Sequence, residues 1–199
     1  MSKTEPASHK KEKKEKSPAR WALVIFLVTI LISGTISLVS EEIMAVSGMA
    51  VAFVILLAII LVGILFDIIG VAVTSADEKP FHSMAARKVP GAKHCISLLR
   101  NAERVSSICN DVVGDICGVV SGSASATIAA QILSNFEFSW PRIVGLAMSA
   151  LVAGMTVGGK AVGKTFAIES STQIVYTVGR VLYFMNRIPT FFKRKPNKK

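Results

Sequence analysis

The chain has 199 residues, of which 51% are hydrophobic and only 18% charged, with a formal net charge of +10. A soluble domain of this length would carry about 25% charged residues. Together with a mean hydropathy of +0.53 and four long apolar runs, this excludes a soluble enzyme, a disulfide scaffold and a disordered protein. The predicted fold class is an all-α polytopic integral membrane protein with four transmembrane helices, a short cytoplasmic-side helical hairpin and a C-terminal amphipathic helix.

Residues 1–20 are charged, lack an apolar face and read as a disordered basic tail. An extra N-terminal span follows over 21–40. The apolar run from Trp21 to Val39 is too long for a signal-peptide core and reads as a retained signal anchor. Glu41 and Glu42 mark the next turn. The second span, about 43–74, exceeds the roughly 20 residues a bilayer needs and must tilt, kink or protrude. Asp67 is its only charge. It lies about 12 Å along the helix from Ser75 and is expected to belong to a different contact from the span end.

Residues 76–107 are polar and basic. They predict a hairpin of two amphipathic helices, near Phe81–Lys88 and Ala92–Asn101, on the membrane surface. The third span, 108–133, opens with Asn110, Asp111 and Asp115 and turns rich in small residues. The fourth covers 143–158. A juxtamembrane helix is expected over 164–190, then a basic tail over 191–199.

Asp111 and Asp115 stand four apart, so one helix face carries both. Two close carboxylates repel, and a cation between them removes the penalty. Ser75, Asp77 and Glu78 stand at the end of the second span. If the spans pack together, oxygens from both can surround one hard cation, and Mg²⁺ suits such a site. The competing reading pairs these acids with Lys79, Arg100 or Arg104 at the interface.

Gly114, Gly118 and Gly122 form a GxxxGxxxG stripe, and Gly154 and Gly158 repeat the device in the fourth span. Such stripes let helices approach closely in lipid. Packing within one subunit is the first expectation and a homodimer seam the second. Gly158–Thr165 fits the phosphate-loop pattern letter for letter, but it follows a membrane span rather than a strand and reads as a chance match. Cys95, Cys109 and Cys117 give neither a disulfide framework nor a zinc spacing. His9 and His94 have no ligand-like neighbour, and His82 stands four after Glu78 with Pro80 between them, which argues against a shared helix face. Without a nucleophile–base pair, an enzyme is not expected.

Four stretches resemble, in order, motifs of the transmembrane domain of the cyclin M / CorC (CorB) magnesium transporters. Ser75–Pro80 (SADEKP) stands in place of that family's SASETA-like motif. Leu98–Ser107 (LLRNAERVSS) is similar to its LLENPERLLST. Asn110–Asp115 (NDVVGD) fills its GNxxxN turn, and Gly159–Ala167 (GKAVGKTFA) its GExxPKxxA. The resemblance covers roughly residues 50–190. It implies a dimeric Mg²⁺ transporter with export coupled to Na⁺ entry, and it points to Ser75, Asp77, Glu78, Asp111 and Asp115 as ion-binding residues; Asn110, next to Asp111, is counted with them as a metal candidate. Asp111 and Asp115 replace two asparagines of the family, while Lys160 and Gly163 replace its glutamate and proline. The regulatory CBS pair is not expected in the short remaining tail.

The leading functional expectation is therefore divalent-cation transport in the plasma membrane. The alternative is a non-transporting scaffold or accessory subunit whose basic tails bind anionic lipid or a partner protein. No nucleic acid is expected as a partner.

Orientation follows from lysine and arginine placement. The N-terminal tail holds seven, residues 75–107 six and the region from Gly158 onward nine, so 22 of 23 fall on one side. Both termini are expected in the cytoplasm. A cysteine introduced at Ser134 should then label with an impermeant thiol reagent in intact cells, and one at Pro90 should not. Labelling at Pro90 would reverse the orientation.

Overall fold

The structure is a computed structural model that describes residues 18–136 and 140–192. The expected disordered tail up to residue 17 and the basic tail from residue 193 lie outside the described residues. What is described is all-helical. In lipid a backbone can satisfy its polar groups within a single segment only as a helix, and four helices among the described residues are long and apolar enough to cross a membrane. The protein is membrane-embedded.

In chain order the elements are α1 (Pro18–Val46), α2 (Met49–Ser75), α3 (Lys79–Ala86), α4 (Ala92–Arg100), α5 (Ala102–Ser107), a π-helical stretch (Ile108–Gly114), α6 (Asp115–Asn135), α7 (Pro141–Glu169) and α8 (Ser171–Phe192). The spanning helices are α1, α2, the continuous rod from α5 through α6, and α7.

Several boundaries differ from the sequence reading. Helix α1 already contains residues 18–20 and runs through Glu41 and Glu42 to Val46. Its turn falls instead at Ser47–Gly48, where Gly48 is extended (φ −65°, ψ 156°) and caps α2. Glutamate is a good helix former and does not itself break a helix. The hairpin helices lie where expected, within two residues. The third span begins earlier, at Ala102, because α5 runs straight into it. The largest shift is in α7, which continues past Gly158 for eleven more residues to Glu169. Lys160 and Lys164 are thereby carried inside a spanning helix. The phosphate-loop look-alike Gly158–Thr165 is uninterrupted α-helix within α7.

Helix α2 is the centre of the molecule, packed on α6, α7 and the π-helical stretch. It runs antiparallel to α6, with Gly63 against Cys117 and Gly70 against Asn110. It runs parallel to α7, with Gly159 against Ile64 and Gly163 against Ile68. Two apolar cores result. One joins Leu56 and Ile60 of α2 to Ile128 of α6 and Val152 of α7. The other, at the opposite end, joins Val73 to Phe81, Cys95, Ala167 and Val175. Here α8 lies on α4: the Cys95 thiol donates to the Val175 carbonyl at 3.4 Å, and Gly179 leaves room for Cys95. Burial pushes the Cys95 thiol above its ordinary value, so it behaves as a small apolar residue. Helix α1 is peripheral and packs mainly on α6. Its polar ties are the Ser37–Ser123 hydroxyl pair at 3.2 Å and the Gln131 amide donating to the Met44 carbonyl at 2.8 Å.

Glycine does the close packing, but at positions other than those the GxxxG spacing singled out. A Cβ on Gly163 would fall 2.8 Å from Ile68 Cγ1, whereas at Gly118, Gly122, Gly154 and Gly158 a Cβ would meet nothing within 4 Å. Of the five striped glycines only Gly114 faces a neighbour, the Lys160 ammonium. The expectation that the stripe packs helices within the subunit therefore fails for four of five. Gly163→Leu should destabilise the fold by about 1–3 kcal/mol through overpacking, read as a lower unfolding midpoint in detergent. Gly154→Leu should leave that midpoint unchanged.

Candidate functional site

Between the two apolar cores lies a thin polar layer formed by α2, the π-helical stretch and α7. Its centre is Asp67, which is 4% exposed. Lys160 Nζ stands 4.0 Å from Asp67 Oδ1, and Lys164 Nζ stands 4.0 Å from Oδ2. The two lysines are one turn apart on α7 and so share a face. Glycines position them. Gly159 and Gly163 carry no side chain against Ile64 and Ile68, so α7 approaches α2 closely enough for both ammonium groups to reach the carboxylate.

The third contributor is Asn110. Its amide nitrogen donates to Ser106 Oγ at 3.2 Å, and its carbonyl oxygen is directed at Gly70 of α2. A Cβ at Gly70 would collide with that oxygen, so a larger residue there would have to displace the Asn110 side chain. Asn110 lies within the π-helical stretch. A π-turn is wider than an α-turn and changes which residues face the neighbour, and such turns recur at functional sites. Here Asn110 is turned inward while Asp111 is exposed.

Two buried acceptors in this layer, Asp67 Oδ2 and Asn110 Oδ1, have no hydrogen-bond partner. At 4.0 Å the lysines balance the carboxylate charge but lie beyond hydrogen-bond reach. Charge is compensated, while part of the acceptor capacity is left over. Buried polar atoms of this kind are uncommon and are expected to have a reason. Chemically, the layer offers two unpartnered acceptors to a hydrogen-bond donor or a small cation, the carboxylate at Asp67 and the amide oxygen at the level of Gly70.

The residues singled out from sequence fall into three groups. Asn110 is in the layer. Asp111 and Asp115 are both exposed, as are Ser75 and Asp77. Glu78 is engaged at the surface, its Oε1 3.2 Å from both Arg100 Nε and His82 Nε2. Asp77 accepts from its own loop, the Lys79 backbone N–H, at 3.2 Å. Among the described residues no group of three or more His, Cys, Asp or Glu side chains is placed to hold a metal ion. Asp67, Lys160 and Lys164 are the residues the sequence reading did not join. The available signal was a lone acid in one span and two lysines spaced i, i+4 beyond the apparent end of another.

A second feature is a groove of about 200 Å³ between α6 and α7, lined by Gly118, Gly122, Ser121, Ser125, Ser149 and Thr156. Gly118 and Gly122 thus open onto this groove, whereas Gly154 and Gly158 are not part of its lining. Fold and site together define a helical membrane protein with a charged layer enclosed between apolar cores. A scan against protein-family models finds no match, and a search of curated proteins finds none.

Proposed function

We propose that this protein moves a divalent cation, most readily Mg²⁺, across the plasma membrane, with both termini cytoplasmic. The observation that carries the reading is the Asp67 carboxylate, buried within the spanning helices, with a second unpartnered acceptor, the Asn110 amide oxygen, about one turn further along α2 at Gly70. Ionisable groups at membrane depth are costly, and they mark ion pathways by default. Mg²⁺ takes six oxygens and usually keeps several waters, so one carboxylate and one amide oxygen suffice as its protein ligands. The resemblance to the cyclin M / CorC transporters points the same way. It differs in site detail, because the reading now centres on Asp67 and Asn110, with the exposed Asp111 and Asp115 outside the ion-binding group.

A second reading is favoured by the same lysines. Asp67 already has two counter-charges, as an ion pair that merely joins α2 to α7 in a non-transporting scaffold would. Flux separates the two. In proteoliposomes the wild type should carry Mg²⁺, and Asp67→Asn should slow the flux roughly ten-fold or more, equivalent to losing about 1.4 kcal/mol or more of interaction. Absence of wild-type flux would leave the scaffold.

The transporter is further proposed to act as a homodimer through the outer groove that bears Gly118 and Gly122 with Ser121, Ser125, Ser149 and Thr156. Small residues with hydroxyls nearby suit helix association in lipid, and no neighbour within the subunit uses the two glycine positions. Gly118→Leu should abolish chemical cross-linking between copies while leaving the unfolding midpoint of the monomer in place. Undiminished cross-linking would assign this face to lipid.

A further inference from the structure

The polar layer raises a question of charge. Asp67 supplies one negative charge, and Lys160 and Lys164 supply two positive ones. Among the described residues the charged groups set against the carboxylate come from α7 alone, since α2 carries no other charge and the π-helical stretch contributes the neutral Asn110. The layer therefore holds a net positive charge before any ion enters. A divalent ion placed beside both ammonium groups would meet two like charges at close range, where the low dielectric strengthens repulsion several-fold over water. Ion and lysines cannot all occupy the layer together.

The two lysines are not equivalent. The Lys164 side chain is 54% exposed, so its ammonium is solvated and its charge at Asp67 is screened. The Lys160 side chain is only 22% exposed. Its ammonium sits over Gly114, 3.4 Å from where a Cβ would be, so the π-helical stretch opens a place for it by carrying no side chain there. Lys160 also lacks a hydrogen bond to the carboxylate, and its four-carbon stem can rotate. It is close enough to compensate Asp67 and loose enough to leave.

We propose that Lys160 is a tethered competitor for the cation. Its ammonium holds the place at Asp67 that an incoming ion must take, so ion binding requires Lys160 to swing out, and its return expels the ion. This inference rests on the reading of Asp67 as the ion ligand. It adds a residue that sets the affinity of the site and resets it after each passage.

The test uses full-length protein, with the Mg²⁺ dependence of thermal stability and liposome flux measured on the same variants. Binding to the folded state raises stability with the logarithm of ligand concentration over its dissociation constant. Lys160→Gln should lower the Mg²⁺ concentration for half-maximal stabilisation about ten-fold or more, because a like charge is removed beside the ligand. It should also slow flux at saturating Mg²⁺, because the ion is no longer expelled. Lys160→Arg, which keeps the charge, should not lower that midpoint, Lys164→Gln should shift it less than Lys160→Gln, and Asp67→Asn combined with Lys160→Gln should abolish the response. An Asp67-dependent wild-type response that Lys160→Gln leaves unchanged or weakens would overturn the competitor and keep the transport reading. A silent wild type with a responsive Lys160→Gln would keep the competitor, as a lysine that holds the site shut, and overturn transport. If neither responds, both fall. Should Lys160→Gln not fold, Lys160→Met, which keeps the apolar stem, is read in the same way. Failure of both to fold while Lys160→Arg folds would make Lys160 a structural counter-ion and overturn the proposal.

Discussion

A carboxylate set between two apolar layers is the constraint around which the helices are arranged. Asp67 lies between the Leu56–Ile60 core and the Val73–Phe81 core, and an unpaired charge there would cost several kcal/mol. Compensation has to come from a neighbouring helix at the right height. That requirement fixes the register of α7 against α2, because only one offset places Lys160 and Lys164 on either side of Asp67. Gly159 and Gly163 make the offset possible by letting the backbones approach. Packing and electrostatics therefore select the same register, and neither would hold it as firmly alone.

The π-helical stretch performs a complementary task on the other side of α2. It lets one span present an amide inward at Asn110 while exposing acids at Asp111 and Asp115. Asn110 and Gly114, four apart, share the inner face, and Asp111 and Asp115, also four apart, share the outer one. The rest of the bundle is held more lightly. In lipid no hydrophobic drive gathers the helices, and hydroxyls and small residues take its place. Helix α1 illustrates the point: among the described residues, one hydroxyl pair and one amide–carbonyl bond tie it to its neighbours.

Much of the architecture was legible in the sequence. Four apolar runs specify four spanning helices, and the Pro80, Pro90 and Gly91 breaks specify the short helices between the second and third. The polar layer was not legible, for two physical reasons. Hydropathy falls at the first lysine, so by hydropathy alone the fourth span ends at Gly158 and leaves Lys160 and Lys164 beyond the membrane. A lysine held by a buried carboxylate does not end a span, but the compensating acid is on another helix and leaves no local trace. The second reason is glycine. A spacing of four reveals which glycines share a face, not what that face meets, and the open stripe on α6 and α7 carries a more regular signature than the packed glycines at 70, 159 and 163.

The separation of the charge partners along the chain has a consequence for how the protein is made. Asp67 leaves the ribosome 93 residues before Lys160, an interval of about 5–20 s at ordinary elongation rates. During that interval α2 must leave the translocation machinery, or wait beside it, with a charge whose partners do not yet exist. Synthesis order therefore favours retention of α2 at the protein-lined exit until α7 arrives, so that the central helix of the finished bundle is among the last to settle into lipid.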